Sequence, residues 1–166
     1  MQRHCIAASL LLISALGCTQ SITGRVRNDE MTSAQSEEPA LRRAAEKAQA
    51  TLDEFLAKAK QQPAGTSAYA LKVRVQEGRD TEYFWVDEFT WSDGSFTGRI
   101  NNEPRLVKSI KPGQVYNFSR SQIADWKYVD EKSGKTFGNF TACALLSKEP
   151  PAQADEIKRR DGLDCS

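Results

Sequence analysis

Across 166 residues, 23 Lys and Arg stand against 22 Asp and Glu, and the single His is His4. So even a balance gives no electrostatic case for nucleic acid or for broad attraction to anionic surfaces. With its only His at the extreme N-terminus, the body of the chain cannot assemble a Ser-His-Asp or Cys-His catalytic set.

Met1 to His4 carry one firm positive charge, Arg3, and Ile6 to Leu16 are apolar apart from Ser9 and Ser14. A basic head, a short apolar middle and the small Gly17 before Cys18 form the layout of a secretory signal. The run falls short of the roughly 20 residues a bilayer span requires. Ala15-Leu16-Gly17-Cys18 resembles the bacterial lipoprotein processing box, in which the Cys becomes the lipidated first residue. The usual Leu lies three places before the Cys; here Ala15 holds that place and Leu16 follows. In that family Thr19, being other than Asp, points to the outer membrane. The resemblance implies a signal over 1–17, acyl chains on Cys18 and a domain facing the periplasm. Several chains would anchor firmly, since each buried methylene contributes about 0.8 kcal/mol. The competing reading is an ordinary cleaved signal beside an accidental Cys.

Loss of 1–17 removes Arg3 alone from the charge count and leaves 22 positive against 22 negative groups. It also removes Cys5, and Cys18 takes the lipid. Cys143 and Cys165 then remain in an oxidising compartment, where a disulfide is expected. It would close a loop of about 23 residues and stabilise by roughly 3 kcal/mol on the chain-entropy estimate. The alternative is two free thiols in a redox or metal site, for which no His ligand is left.

Residues 18–38 read as a polar, disordered tether without sustained period, and 39–166 as one domain. Leu41, Ala45, Ala48, Leu52, Phe55 and Ala59 recur at steps of three and four, which predicts one amphipathic helix. Ser36 would cap it, with Glu37 and Glu38 in its first turn, and Pro63 and Gly65 would stop it. The apolar stripe fits packing on a sheet better than a coiled-coil arm, because an Ala-rich seam packs weakly.

From Tyr69 the period falls to two: Tyr69, Leu71, Val73 and Val75 alternate with polar residues. Glu77 to Asp80 turn, and Thr81 to Thr90 return as a strand. Ser92-Asp93-Gly94-Ser95 holds a hairpin signal, followed by a strand from Phe96 to Ile100. Asn101 to Pro104 turn, Leu106 to Ile110 read as a short extended piece, and Val115 to Phe118 as a strand. Ser119 to Ile123 read as a brief capped turn, and Asp125 to Val129 as a strand. Ser133-Gly134-Lys135 turn again. Asn139 to Leu146, free of charge, read as a last, central strand. Pro150 and Pro151 open a short helix from about Ala152 to Arg160. The sum is an α+β domain: an N-terminal helix on a curved, mostly antiparallel sheet of five to six strands, with a short C-terminal helix.

The second half carries an ordered set of motifs: Phe84-Trp85, Phe96-Thr97-Gly98, Asn102-Glu103-Pro104, Gly113 to Phe118, Ile123 to Tyr128, and Gly138-Asn139-Phe140-Thr141. Together they resemble the YegJ-like family of small bacterial proteins, a domain of unknown function, over about residues 66–147. The resemblance implies a fold boundary and no transferable activity.

Candidate site residues are few. Ser133-Gly134-Lys135-Thr136 lacks the first Gly of a nucleotide loop, and no acidic cluster has calcium-loop spacing. Asp87, Glu88, Glu103, Asp125 and Asp130 are the acids from which a carboxylate hydrolase would draw its pair. The stronger local signal is Asp125-Trp126-Lys127-Tyr128, where alternation puts Trp126 and Tyr128 on one face. These either fill the core or, with Trp85 on a neighbouring strand and Asp125 at the edge, line an aromatic groove for sugar or peptide. Asn102 and Glu103 sit on a loop tip that either turns the chain or helps hold a ligand. No cofactor or metal is expected. The leading expectation is a non-enzymatic envelope lipoprotein that binds a protein, peptide or cell-wall partner. An inhibitor or immunity-type protein comes second and a carboxylate hydrolase third.

Overall fold

The computed structural model describes residues 38–166. The leader, Cys18, nearly all of the tether and the helix start expected at Ser36 and Glu37 lie outside these residues. The described residues form an α+β domain, with helices α1 (Pro39–Ala50), α2 (Leu52–Gln61), α3 (Phe140–Leu146) and α4 (Pro151–Arg160). The strands are β1 (Thr66–Glu77), β2 (Asp80–Ser92), β3 (Ser95–Ile100), β4 (Val115–Ser119), β5 (Ile123–Asp130) and β6 (Lys135–Gly138).

The one helix expected from the apolar spacing is two. It breaks at Thr51 (φ −106°, ψ 4°), whose hydroxyl donates back to Lys47 O at 2.8 Å. Such back-bonding by a mid-helix Thr bends the helix. The Trp126 indole N–H fixes the break from outside, donating to Ala48 O at 3.1 Å.

All neighbouring strands run antiparallel, in the order β4-β3-β2-β1-β5-β6. Only the 3-10 turn Arg120–Gln122 joins β4 to β5, although they stand four places apart in that order. A flat sheet would put them about 19 Å apart, whereas four residue steps span at most about 14 Å. The sheet therefore curls, and α2 lies in the curl. Leu52, Phe55, Leu56 and Ala59 bury there against Leu71, Val73, Val86, Ile100 and Trp126.

On the outer face a second core joins Tyr83 of β2 to Leu41 of α1, Leu145 and Leu146 of α3, and Ala154 and Ile157 of α4. Helix α1 thus crosses the edge of β5: Leu41 belongs to the outer core and Ala48 to the inner one. The β5–β6 ladder begins only at Lys127, and the Gln49 side chain donates to Ile123 O along the uncovered part of that edge.

Two expectations need correction. Residues 140–146 are a helix, α3, with Asn139 before its first turn, and the stretch is not a central strand. Gly138 and Asn139 take left-handed angles (φ 79° and 52°) that end β6 and turn the chain away from the sheet. Asp125 then accepts the Thr141 amide at 2.7 Å in the first turn of α3, where helical amides lack partners. Residues 106–110 are irregular rather than extended, and carboxylates hold their amides. Glu82 accepts from the amides of Arg105, Leu106 and Val107, and Glu77 from that of Lys108.

The disulfide between Cys143 and Cys165 is present, with the two residues 22 apart in sequence. It staples the C-terminal segment to α3. That segment also lies parallel to β6, where the Thr136 amide donates to Gly162 O at 2.7 Å and the Asp164 amide to Thr136 O at 3.0 Å. The outer edge of β6 is sealed in this way.

Candidate functional site

Trp85 and Trp126, read from the sequence either as core residues or as the lining of one aromatic groove, point to opposite faces of the sheet. Leu71 pairs with both Val86 and Trp126 on the inner face, whereas Lys72 pairs with both Trp85 and Asp125 on the outer face. Both indoles are buried, at 6% and 8% exposure. The groove fails because Trp85 and Trp126 occupy opposite parities of the pleat. Trp126 stacks on Phe55 at 4.8 Å, and Tyr128 stacks on Tyr69 and Phe137 at 5.6 and 5.3 Å. Burial, then Tyr69 and Asp130, push the Tyr128 phenol above its ordinary range.

Asp125 is wholly buried and structural in its contacts. Its Oδ2 accepts from both the amide and hydroxyl of Thr141, and its Oδ1 accepts from the Trp126 amide at 2.8 Å. The buried Lys72 ammonium donates to Thr141 Oγ1 at 2.8 Å and lies 4.8 Å from the Trp85 ring centre. Lys127 approaches the same ring at 4.1 Å. Cations against a desolvated indole stabilise it and occupy its face.

Asn102 acts as a piece of strand. Its Oδ1 accepts the Trp85 amide at 2.7 Å just past the last β2–β3 pair, beside the Asn101 amide that donates to Trp85 O. Glu103, one residue on, is exposed. The other acids are engaged separately: Asp87 with Asn101, Glu88 with Arg99, and Asp130 with the turn at Ser133. Among the described residues no three His, Cys, Asp or Glu side chains gather as a metal site.

Another opening lies elsewhere. A cleft of about 580 Å³ runs between α1 and the outer face, lined by Leu41, Arg42, Ala45, Glu46 and Gln49 on one side. Arg74, Tyr83 and residues 121–124 form its floor and far wall. Its walls are braced from both ends. Gln49 holds α1 to Ile123, and Gln122 donates to Arg74 O at 3.2 Å while accepting the Ser119 amide at 3.0 Å. The size is that of a small-ligand or peptide site. Sequence periodicity leaves Arg42 off the apolar stripe of its helix and Arg74 among the polar residues that alternate with Val73 and Val75. What it lacked was the crossing of α1 over β5, which brings the two together.

A smaller cleft of about 340 Å³ opens where the β1–β2 ladder ends at Leu71–Val86. Tyr69, Phe89, Gln62 and Glu88 line it, and the non-Gly residues Ala68 and Glu88 there take left-handed angles (φ 52° and 47°). The half-buried aromatics of this end are Tyr69, Phe89 and Trp91, so the Trp nearest solvent is one the sequence reading passed over.

The chain is 29% identical over 151 residues to the uncharacterized protein YegJ of Escherichia coli K12, covering 91% of this chain and 95% of that protein. It is 25% identical over 89 residues to a putative ankyrin repeat protein of Neisseria meningitidis serogroup B, covering 54% of this chain and 34% of that one. No solved structure matches. A family model matches residues 38–165, which takes in α1, α2 and the stapled C-terminus beyond the 66–147 stretch carrying the motifs. The chain therefore belongs to the family described as uncharacterized proteins conserved in bacteria (DUF2314).

Proposed function

We propose that this protein is a lipid-anchored binding module of the cell envelope, held by Cys18 at the outer membrane and facing the periplasm. The observation that carries the binding role is the braced cleft between α1 and the outer sheet face. The leader pattern and the Cys143–Cys165 bridge support an exported, oxidising location. A non-enzymatic role is favoured because the only His is His4 and most of the candidate acids are spent on structural contacts.

Two measurements test this. Radiolabelled palmitate should label the native protein and not Cys18→Ser; equal labelling, or none in either, sinks the anchor. A photo-crosslinking amino acid at Ala45, on the cleft wall, should give an adduct in intact cells that the same probe at Arg159 does not. Absence of any adduct specific to position 45 removes the binding role.

A second reading rests on β4. Among the described residues this strand pairs only with β3, and Val115 is 56% exposed along it. An inhibitor acting by strand addition would use such an edge. An adduct from Val115 in place of Ala45 would select that reading.

A further inference from the structure

We infer that the α1 cleft binds an acidic stretch of peptide, an inference that rests on the binding-module reading above. Arg42 and Arg74 enter the lining from different elements, one from α1 and one from β1. Neither guanidinium makes an ion pair or hydrogen bond among the described residues, whereas Arg99, Arg120 and Arg160 are each paired with an acid. Glu46 is the one acid in the lining, so two cations face one anion there. Glu46 pairs with neither arginine. Against a chain whose charges nearly cancel, this is a local positive site.

Tyr83 adds a hydrogen-bond donor to the cleft. It is 7% exposed, lines the cleft, and its hydroxyl has no hydrogen-bond partner among the described residues. The buried unpartnered side-chain atoms among the described residues are Asn139 Oδ1 and Glu149 Oε1, not this hydroxyl, which therefore meets solvent in the cleft and can donate to a bound acceptor. The remaining lining is apolar, from Leu41, Ala45, Ile123 and Ala124. Two forked cations, a free donor and an aliphatic floor complement a carboxylate flanked by an aliphatic side chain. An acidic peptide presents both. A bare inorganic anion would leave the aliphatic floor unused, and a neutral peptide would leave two guanidiniums without partners. Braced walls mean that little ordering is required on binding.

The test is selection of a random nine-residue peptide display library on the full chain, followed by affinity measurement with the fluorescein-labelled winners. The winners should carry Asp or Glu next to an aliphatic residue and bind more weakly as salt rises. Arg42→Gln and Arg74→Gln should each weaken binding about tenfold, and Tyr83→Phe several-fold, with thermal midpoints near that of the parent protein. Arg159→Gln, away from the cleft, should bind as the parent does. Winners without an acid, or winners indifferent to both arginine substitutions, overturn the inference and leave the module intact. So does an in-cell adduct at Ala45 when no acidic peptide is selected. A dimer joined through the cleft, or crosslinks from Ala45 to residues 19–37 of the same chain, overturns it as well. Failure of both the selection and the in-cell adduct removes the module with it.

Discussion

Thr141 donates twice to one oxygen of Asp125: its amide and its hydroxyl each lie 2.7 Å from Oδ2. Lys72 donates in turn to the same hydroxyl, so cation, hydroxyl and carboxylate form one buried chain across β1, α3 and β5. This chain fastens a helix to the outer face of the sheet without apolar contact at that point. Removing one member leaves the others charged or unpaired in a dry site, which costs more than the contact itself contributed.

Asp125→Ala should therefore destabilise the domain by about 3 kcal/mol, and Thr141→Val by about 1–2 kcal/mol. Urea unfolding followed by circular dichroism reads both. An Asp125→Ala midpoint equal to that of the parent would show that the chain is not a fastening.

Gly138 faces Trp126. A Cβ there would lie 2.1 Å from Trp126 O and 2.5 Å from its ring, at a φ of +79° that side chains disfavour. Gly138→Ala should cost about 2 kcal/mol or more through overpacking and strain together. Thermal unfolding should show a midpoint several degrees lower, whereas Gly134→Ala, with open space around it, carries only the backbone cost.

Reduction of the bridge should lower stability by about 3 kcal/mol, the loop-closure estimate for a bridge of this span. Mass spectrometry of non-reduced peptides should recover Cys143 joined to Cys165. Reduction should also speed amide exchange at Thr136 and Asp164, which pair only with the stapled segment or through it.

Asp130 offers a pH test. The Ser133 hydroxyl and amide, chiefly, hold its carboxyl below the ordinary range. A depressed folded pKa favours the folded state when the group is ionised. That contribution is present above the unfolded value near 4 and is lost as pH falls through the lower folded value. Carbon-detected NMR titration should find Asp130 below the usual carboxylate range and find it raised in Ser133→Ala.

Strands with clean alternation, such as Leu71-Lys72-Val73-Arg74-Val75, were legible because each residue's face follows from parity alone. The capped turn at Ser119–Gln122 was legible for a similar local reason. The stretch Asn139 to Leu146 was not. Its apolar run has no charge to reveal a period, and what makes it helical is a carboxylate 16 positions earlier in sequence from Thr141. The site suffered the same limit. Parity could have placed Trp85 and Trp126 on opposite faces had the register of β1 between them been known. Arg42 and Arg74 meet only because a helix break at Thr51 and a curled sheet bring α1 over β5. Neither is a local property of the residues concerned.

The junction at Thr51 also supplies an optical gauge. Trp126 reaches from β5 to both Ala48 O and Thr51 Oγ1, at 3.1 and 3.2 Å. One indole is thereby wired to the helix that forms the cleft wall. Any occupant that shifts α1 will perturb the hydrogen bond at the indole nitrogen and change its emission, so occupancy can be followed by intrinsic fluorescence, with no dye attached to the protein.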